Sequence, residues 1–111
     1  MKTYSATPQA VSRFLGANTK LERVQYRASR VRGWNTWNTG FEVRAQHDGT
    51  IKVEWTTGSH AGGSAATKND IREKAINAME QALATRYTVT RKQDRWAPNS
   101  FGNEYLVVTA K

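Results

Sequence analysis

The sequence predicts an α+β domain with a single antiparallel sheet of four to five strands and two helices on one face. The predicted order is α-β-β-β-α-β-β. Two segments repeat apolar residues at helical spacing, a pair of segments alternates apolar and polar residues around a tight turn, and two further β-rich segments follow. The length of 111 residues fits one domain spanning residues 1–111, with both layers sharing one core.

A short first helix is predicted over residues 8–15. Thr7 is a suitable N-cap residue, and Pro8 suits the first helical position because its missing N–H has no partner there in any helix. Gly16 is the predicted stop, since glycine is common just past a helix end. The apolar stripe consists of Val11, Phe14 and Leu15.

A half-buried strand is predicted within residues 21–32. Val24, Tyr26 and Ala28 face one way, and Arg23, Gln25 and Arg27 face the other. The alternation breaks over residues 30–32, which indicates a bulge or the strand end. Residues 33–40 are rich in turn formers and are predicted to be a loop with two tryptophans.

The clearest element is a β-hairpin around His47-Asp48-Gly49. A two-residue loop would place the apolar sets of the two strands on opposite faces, whereas a three-residue loop puts them on one face. The loop also places Gly49 at the left-handed position that such a turn requires. The predicted cross-strand pairs are Ala45 with Ile51, Val43 with Val53, and Phe41 with Trp55.

The second half begins with a Gly/Ser-rich connection over residues 57–68, predicted to be mobile. Asn69 or Asp70 is the predicted cap of a longer helix that ends near Arg86. Strands are predicted over residues 87–91 and 104–109, with a polar loop over 92–103. The helix stripe consists of Ile71, Ala75, Met79, Ala82 and Leu83.

Composition and charge narrow the function classes. Seventeen Lys and Arg against nine Asp and Glu give a net charge of +8, which favours polyanionic partners. The absence of cysteine excludes disulfides and thiolate metal sites and favours a reducing cytoplasm. No apolar run follows Lys2 and no window has the length of a membrane span, so we expect a soluble cytoplasmic protein with no membrane association.

Arginine interleaved with tryptophan is the main candidate for binding chemistry. Arginine pairs with phosphate in a bidentate fork, and exposed tryptophan stacks on bases. The competing interpretation is that the arginines form a solvated strand face and that the tryptophans cover a core edge. The candidate nucleic-acid-binding residues are Arg23, Arg27, Arg30, Arg32, Trp34, Trp37, Arg44, Lys52, Arg91, Arg95 and Trp96.

Alternative roles exist for part of this set. In the hairpin register, Arg44 lies opposite Lys52 and Glu42 lies opposite Glu54, and diagonal pairing of Arg44 with Glu54 and of Lys52 with Glu42 would form a screened ion-pair lattice. The glycine-rich residues 58–64 match neither known phosphate-binding spacing, so a linker is the preferred interpretation.

No pattern indicates catalysis. His47 lies in a hairpin turn and His60 in the Gly/Ser-rich connection, and neither belongs to a metal-ligand motif. There is no nucleophile-elbow motif, and the obvious carboxylates have structural roles in a turn, a cap or a strand face. We therefore expect neither an enzyme nor a metal or cofactor site.

Residues 7–16, the stretch from Arg30 to Val43 that reads Arg-Val-Arg-Gly-Trp-Asn-Thr-Trp-Asn-Thr-Gly-Phe-Glu-Val, and the hairpin to Trp55 resemble small proteins of actinobacteriophages and their hosts. In that group a short helix precedes an Arg-x-x-Gly-aromatic loop, a Gly-Phe-x-Val strand and a hairpin. The resemblance implies a phage origin and a host cytoplasmic setting, and it implies no active site.

These observations together predict a small, basic, non-catalytic nucleic-acid-binding protein, monomeric or homodimeric, that contacts phosphates by Arg and Lys and bases by Trp. The alternative is a phage protein that binds and perturbs a host protein, in which the same tryptophans and arginines would anchor the interface. A structural or assembly component is the third hypothesis.

Overall fold

The computed structural model describes residues 5–28, 35–58, 62–93 and 104–111. Within these ranges the chain forms two helices and six strands, which confirms the α+β class. The elements are α1 (Pro8–Asn18), β1 (Tyr26–Ala28), β2 (Asn35–Trp37), β3 (Gly40–Ala45), β4 (Ile51–Thr56), α2 (Ala65–Leu83), β5 (Tyr87–Gln93) and β6 (Glu104–Ala110).

The strands form two sheets rather than one. The main sheet has the antiparallel order β3-β4-β6-β5. β1 and β2 form a separate two-stranded ribbon in which Tyr26 pairs with Trp37 and Ala28 pairs with Asn35. The prediction of a loop throughout residues 33–40 was therefore wrong, because cross-strand hydrogen bonds with β1 hold part of this turn-rich stretch extended.

The predicted loop length and cross-strand register of the hairpin are confirmed. Ala45 pairs with Ile51, Val43 with Val53, and Phe41 with Trp55. The Gln46 N–H donates to the Thr50 carbonyl at 2.9 Å, which leaves three residues in the loop. Gly49 has φ +85°, the left-handed conformation that glycine adopts without steric cost.

The first helix begins as predicted but ends later. Thr7 is the N-cap, and its hydroxyl accepts from the Ala10 N–H at 3.1 Å. The helix continues through Gly16 to Asn18, so the predicted stop at Gly16 was wrong. Termination comes from Thr19, whose backbone N–H and hydroxyl both donate to the Leu15 carbonyl, at 3.0 and 2.6 Å. These two bonds satisfy an otherwise unpaired carbonyl without a left-handed residue.

The second helix starts four to five residues before the predicted caps. Ser64 is the N-cap, and its hydroxyl accepts from the Thr67 N–H at 3.2 Å, while Asn69 and Asp70 lie inside the helix. Residues 65–68 therefore belong to α2 rather than to the connection predicted over 57–68. Residues 59–61 of that connection lie outside the described residues.

The buried stripe of α2 also differs from the prediction. Ile71 was placed in the core but is 48% exposed, whereas Ile76 is 1% exposed. Arg72 is buried as well, and its guanidinium donates to Asn69 within the same helix. Ala75, Met79 and Leu83 occupy the core as predicted.

The segment before β1 is hydrogen-bonded to β3 through Phe41. The Phe41 N–H donates to the Glu22 carbonyl, and the Val24 N–H donates to the Phe41 carbonyl, both at 2.9 Å. Val24 is buried as predicted, but Tyr26 is 55% exposed, so the prediction that they share a buried face was wrong. The chain leaves the sheet after Val24, which reorients Tyr26.

Both helices pack on one face of the main sheet. The core cluster joins the apolar stripes of α1 and α2 to alternate residues of all four strands. Arg86 at the end of α2 covers the ring of Phe14, with the guanidinium carbon 4.6 Å from the ring centroid. Neither described helix has the length and apolar content needed to cross a membrane. The core residues of the sheet are Phe41, Ile51, Val53, Tyr87, Leu106 and Val108.

Candidate nucleic-acid interface on the open face of the sheet

The face of the main sheet opposite the helices is covered by no described helix, and we call it the open face. Successive side chains of a strand alternate between the two faces, so the residues between the core positions point here. Thr88, Thr90 and Lys92 on β5 are exposed, and Tyr105 on β6 is half-buried. The open face consists of Glu42, Arg44, Lys52, Glu54, Thr56, Thr88, Thr90, Lys92, Tyr105, Val107 and Thr109.

Tyr105 lies between two lysines on this face. It belongs to β6, one of the two central strands, and pairs directly with Lys92 of β5. From β4, on the other side, the Lys52 ammonium lies 4.5 Å from the centroid of the Tyr105 ring. This arrangement combines an aromatic ring with cations on both flanking strands.

An ion-pair lattice occupies the β3–β4 half of the open face. The Arg44 guanidinium lies 3.2 Å from Glu42 and 3.9 Å from Glu54, so the predicted diagonal pair with Glu54 is present. The Lys52 ammonium lies 3.6 Å from Glu54 rather than pairing with Glu42, as the diagonal prediction had it. Arg44 and Lys52 thus share two carboxylates, which offset part of their charge.

Glu42 is the least exposed carboxylate of the lattice. Burial acts to raise its pKa, but hydrogen bonds from the hydroxyls of Tyr26 and Thr56 and the charge of Arg44 outweigh that effect, so the pKa lies below its ordinary value. The same contact raises the pKa of Tyr26, because its hydroxyl proton is bound by a carboxylate. Glu42 therefore stays ionised and ties the β1–β2 ribbon to β3.

Arg91 lies on the helix side of the sheet, away from the open face. Its guanidinium donates to Glu104 at 2.9 Å, to Glu73 at 2.8 Å and to Asn77 at 2.7 Å, and it lies 3.9 Å from Glu80. Three carboxylates surround one cation, so Arg91 joins α2 to β5 and β6. Its charge is matched within the protein, which is not the environment expected of a phosphate contact.

We expect Arg91→Met to lower the free energy of unfolding by about 1–2 kcal/mol at pH 7, because charged hydrogen bonds between α2 and the sheet are lost. The hydrogen bond from Arg91 holds the pKa of Glu73 below its ordinary value. Ionised Glu73 therefore stabilises the folded state at pH values above about 4.3, the pKa of a glutamate in an unfolded chain. This contribution is lost as the pH falls through the lower pKa that Glu73 has in the folded protein. Urea unfolding at pH 7, 5 and 3 measures the difference between variant and wild type, which should shrink at pH 3.

The matched control is Lys74→Met, which removes an exposed pair with Asp70 in the same helix. Such pairs contribute less than about 0.5 kcal/mol. A difference between wild type and Arg91→Met that stays constant from pH 7 to pH 3 would show that Arg91 acts through its packing and not through its charge.

Of the remaining predicted site residues, the structure describes the side chains of Trp37 and Arg23. The Trp37 indole donates to the Thr57 carbonyl at 2.9 Å and packs on Tyr26 with ring centroids 5.8 Å apart, so it helps to anchor the ribbon. Arg23 is exposed, and no acidic group lies within ion-pair distance of it in the described part of the chain. The side chain of Arg27 and all of Arg30, Arg32, Trp34, Arg95 and Trp96 lie outside the described residues.

The β1–β2 ribbon and the connection between β5 and β6 are both attached to the same end of the main sheet. Cross-strand pairing joins Phe41 to Trp55 and Gln93 to Glu104, and the β4–β6 register continues to the same row. Residues 94–103 therefore connect strand ends at the end where the β1–β2 ribbon joins β3. With about 4.8 Å between neighbouring strands, the outer strands of this row are about 14 Å apart.

Tyr105 and Lys92 are absent from the predicted site set. In the sequence, Leu106, Val107 and Val108 make the predicted strand 104–109 the most apolar one. The signal available in the sequence was the two-residue period of a strand, which places Tyr105 on the face opposite Leu106 and Val108. Val107 shares the face of Tyr105 although it is buried, so the apolar residues of this strand do not alternate with polar ones. Identifying Lys92 as its neighbour required the β5–β6 register.

Comparison with known proteins identifies no relative of this chain. No protein-family model, no curated protein sequence and no solved structure matches it. Among the described residues, no group of three or more His, Cys, Asp or Glu side chains is arranged to hold a metal ion. Function therefore has to be inferred from the chemistry of the open face itself.

Proposed function

We propose that this protein binds single-stranded nucleic acid on the open face of its sheet, without catalysis. The observation that carries this proposal is Tyr105, held on a central strand between Lys52 and Lys92. An aromatic ring on a sheet face that no described helix covers offers a stacking surface for an unpaired base, worth about 1–3 kcal/mol per base. Duplex bases are already stacked and cannot use it, which favours a single strand.

The flanking cations supply the phosphate contacts in this proposal. Lys52 and Lys92 extend from the strands on either side of β6, which lie about 10 Å apart. Lys92 is exposed, and no acidic group lies within ion-pair distance of it in the described part of the chain, so its ammonium can contact a phosphate. Arg44 adds an exposed guanidinium with a side chain that is 63% accessible.

Most of the net positive charge of the protein lies outside the open face. The open face carries Arg44, Lys52 and Lys92 against two glutamates, so it contributes little of the net charge of +8. Residues 29–34 and 94–103, which lie outside the described residues, contain three arginines and two tryptophans. We propose that these arginines extend the path of the bound strand beyond the sheet.

Fluorescence anisotropy of labelled single-stranded and duplex DNA and RNA across a salt series tests the proposal. We expect Tyr105→Ala to weaken single-strand binding about tenfold, since one stacking contact is lost, and Tyr105→Phe to keep most of the affinity. Lys92→Ala should weaken binding and reduce the slope of log K against log salt by about 0.7. A preference for duplex over single strands contradicts the proposal.

Lys74→Ala is the matched control, because it removes the same charge from the exposed surface of α2 on the helix side of the sheet. It should leave the affinity within about twofold of wild type. Equal losses for Lys74→Ala and Lys92→Ala would mean that only the net charge attracts the nucleic acid, and the open face would then not be the site.

A further inference from the structure

The outer edge of β3 presents backbone groups that no described residue pairs. The Phe41 N–H and carbonyl point away from β4, since they bond to Glu22 and Val24. Groups two residues apart point the same way in an antiparallel pair, so those of Val43 and Ala45 also face outward. The described chain leaves this edge after Val24, and among the described strands β3 pairs only with β4. The backbone N–H and carbonyl groups of Val43 and Ala45 thus pair with no described residue and can bond to another chain.

A groove runs beside this free edge, between α1 and β3. It has a volume of about 430 Å³ and lies on the helix side of the sheet, so it is separate from the open face. Its floor includes Phe41 and Val43, and one wall is the surface of α1 around Ser12 and Gly16. The groove is open beside Gly16, because this residue has no side chain and no atom lies within 4 Å of the position that a Cβ would take.

The groove is flanked by two arginines whose charge is not matched. Arg13 from α1 and Arg23 from the segment before β1 both line it, and both side chains are exposed. In the described part of the chain, no carboxylate lies within 4.0 Å of either guanidinium. Arg44 lies on the other side of the same strand, with 63% of its side chain accessible. Cations therefore border the free edge on both faces of the sheet.

We propose that the free edge of β3 binds an extended acidic segment of a partner protein as an added strand. Backbone hydrogen bonds to Val43 and Ala45 would align it, as in other cases of strand addition to a sheet edge. Alternate side chains would enter the groove, where carboxylates meet Arg13 and Arg23, and the side chains between them would reach Arg44. The groove with Arg13 and Arg23 lies on the helix side of the sheet, so this site shares only Arg44 with the proposed nucleic-acid site on the open face.

Fluorescence anisotropy with designed peptides tests this proposal. The probe is a labelled peptide of alternating threonine and glutamate with blocked ends. The two comparison peptides are one with lysine in place of glutamate and one N-methylated at alternate amides. We expect the acidic peptide to bind at least tenfold more tightly than either comparison peptide. The double variant Arg13→Glu/Arg23→Glu should weaken binding of the acidic peptide at least tenfold, and both positions are exposed, so the fold should be retained.

Ala45→Pro tests the edge separately from the charge. Proline removes an N–H that faces outward, so the β3–β4 ladder is preserved while strand addition is blocked. We expect at least a tenfold loss of affinity for the acidic peptide with unchanged affinity for single-stranded nucleic acid. Thermal melting of each variant checks the fold.

Three results would overturn the proposal. The first is equal affinity for the glutamate and lysine peptides. The second is acidic-peptide binding that is lost in Lys92→Ala but kept in Arg13→Glu/Arg23→Glu, which would assign it to the open face. The third is dimerisation of the unliganded protein that Ala45→Pro abolishes, which would put a second copy of the chain on this edge. Failure of nucleic-acid binding would leave all three peptide results unaffected.

Discussion

Val53→Asp is expected to abolish the fold. Val53 is 1% exposed and sits in β4, paired with Val43 on one side and Leu106 on the other. An ionised carboxylate there has no cation partner, and burying it costs several kcal/mol. The loss of the valine contacts adds to that cost. Since small domains are stable by only about 5–15 kcal/mol, we expect a chain without a cooperative thermal transition by circular dichroism.

Thr90→Asp is the control for this substitution. Thr90 lies on β5, is exposed and faces away from the helices, so the same carboxylate remains in water. That variant should melt cooperatively, within about 1 kcal/mol of wild type. If Val53→Asp also melted cooperatively near the wild-type temperature, the core face of the hairpin would not be Val43, Val53 and their neighbours.

Gly40→Ala has the second largest expected effect, for a steric reason. A Cβ on Gly40 would lie 2.4 Å from the Glu22 carbonyl oxygen and 3.0 Å from the backbone of Arg23 and Val24. All three contacts are with backbone, which cannot rotate away as a side chain can. The segment 22–24 would have to move off β3, so we expect a loss of about 1–3 kcal/mol and a melting temperature about 5–15 °C lower.

Gly16→Ala is the matched control, because the same methyl group there meets no atom within 4 Å inside a helix. It should raise stability by about 0.5–1 kcal/mol, since alanine loses less conformational freedom than glycine on forming a helix. Urea unfolding measures both variants. Equal stability of Gly40→Ala and wild type would show that residues 22–24 do not rest on β3, and Arg23 would then have no defined place in the groove.

The parts of the fold that were predictable depend on residues close together in the chain. The hairpin register followed from the alternation on two strands and from one glycine with positive φ, because only one loop length places both apolar sets on one face. Thr7 could be assigned as a cap for the same reason, since the group that it satisfies is three residues away.

The helix boundaries show where local reasoning failed. Asn69 and Asp70 have good capping chemistry, but Ser64 is the cap and α2 extends one further turn toward it. The phase of the helix follows from how it packs on the sheet, which buries Ile76 and Arg72 and leaves Ile71 in solvent. Residue types that suit a cap occurred at several positions, and contacts with the sheet selected one of them.

For the candidate site, too, the sequence determined some features and the tertiary structure determined the others. The sequence by itself determined the α+β class, the hairpin, the strong positive charge and the presence of arginines and aromatic residues with the chemistry to bind polyanions. Only the tertiary structure decided which of these groups are available, since Arg91 is enclosed by carboxylates from α2 and β6, whereas Tyr105 and Lys92 meet on the open face. The physical reason is that pairing across strands joins residues far apart in the chain, and charge counted along a sequence does not show which cations are already neutralised.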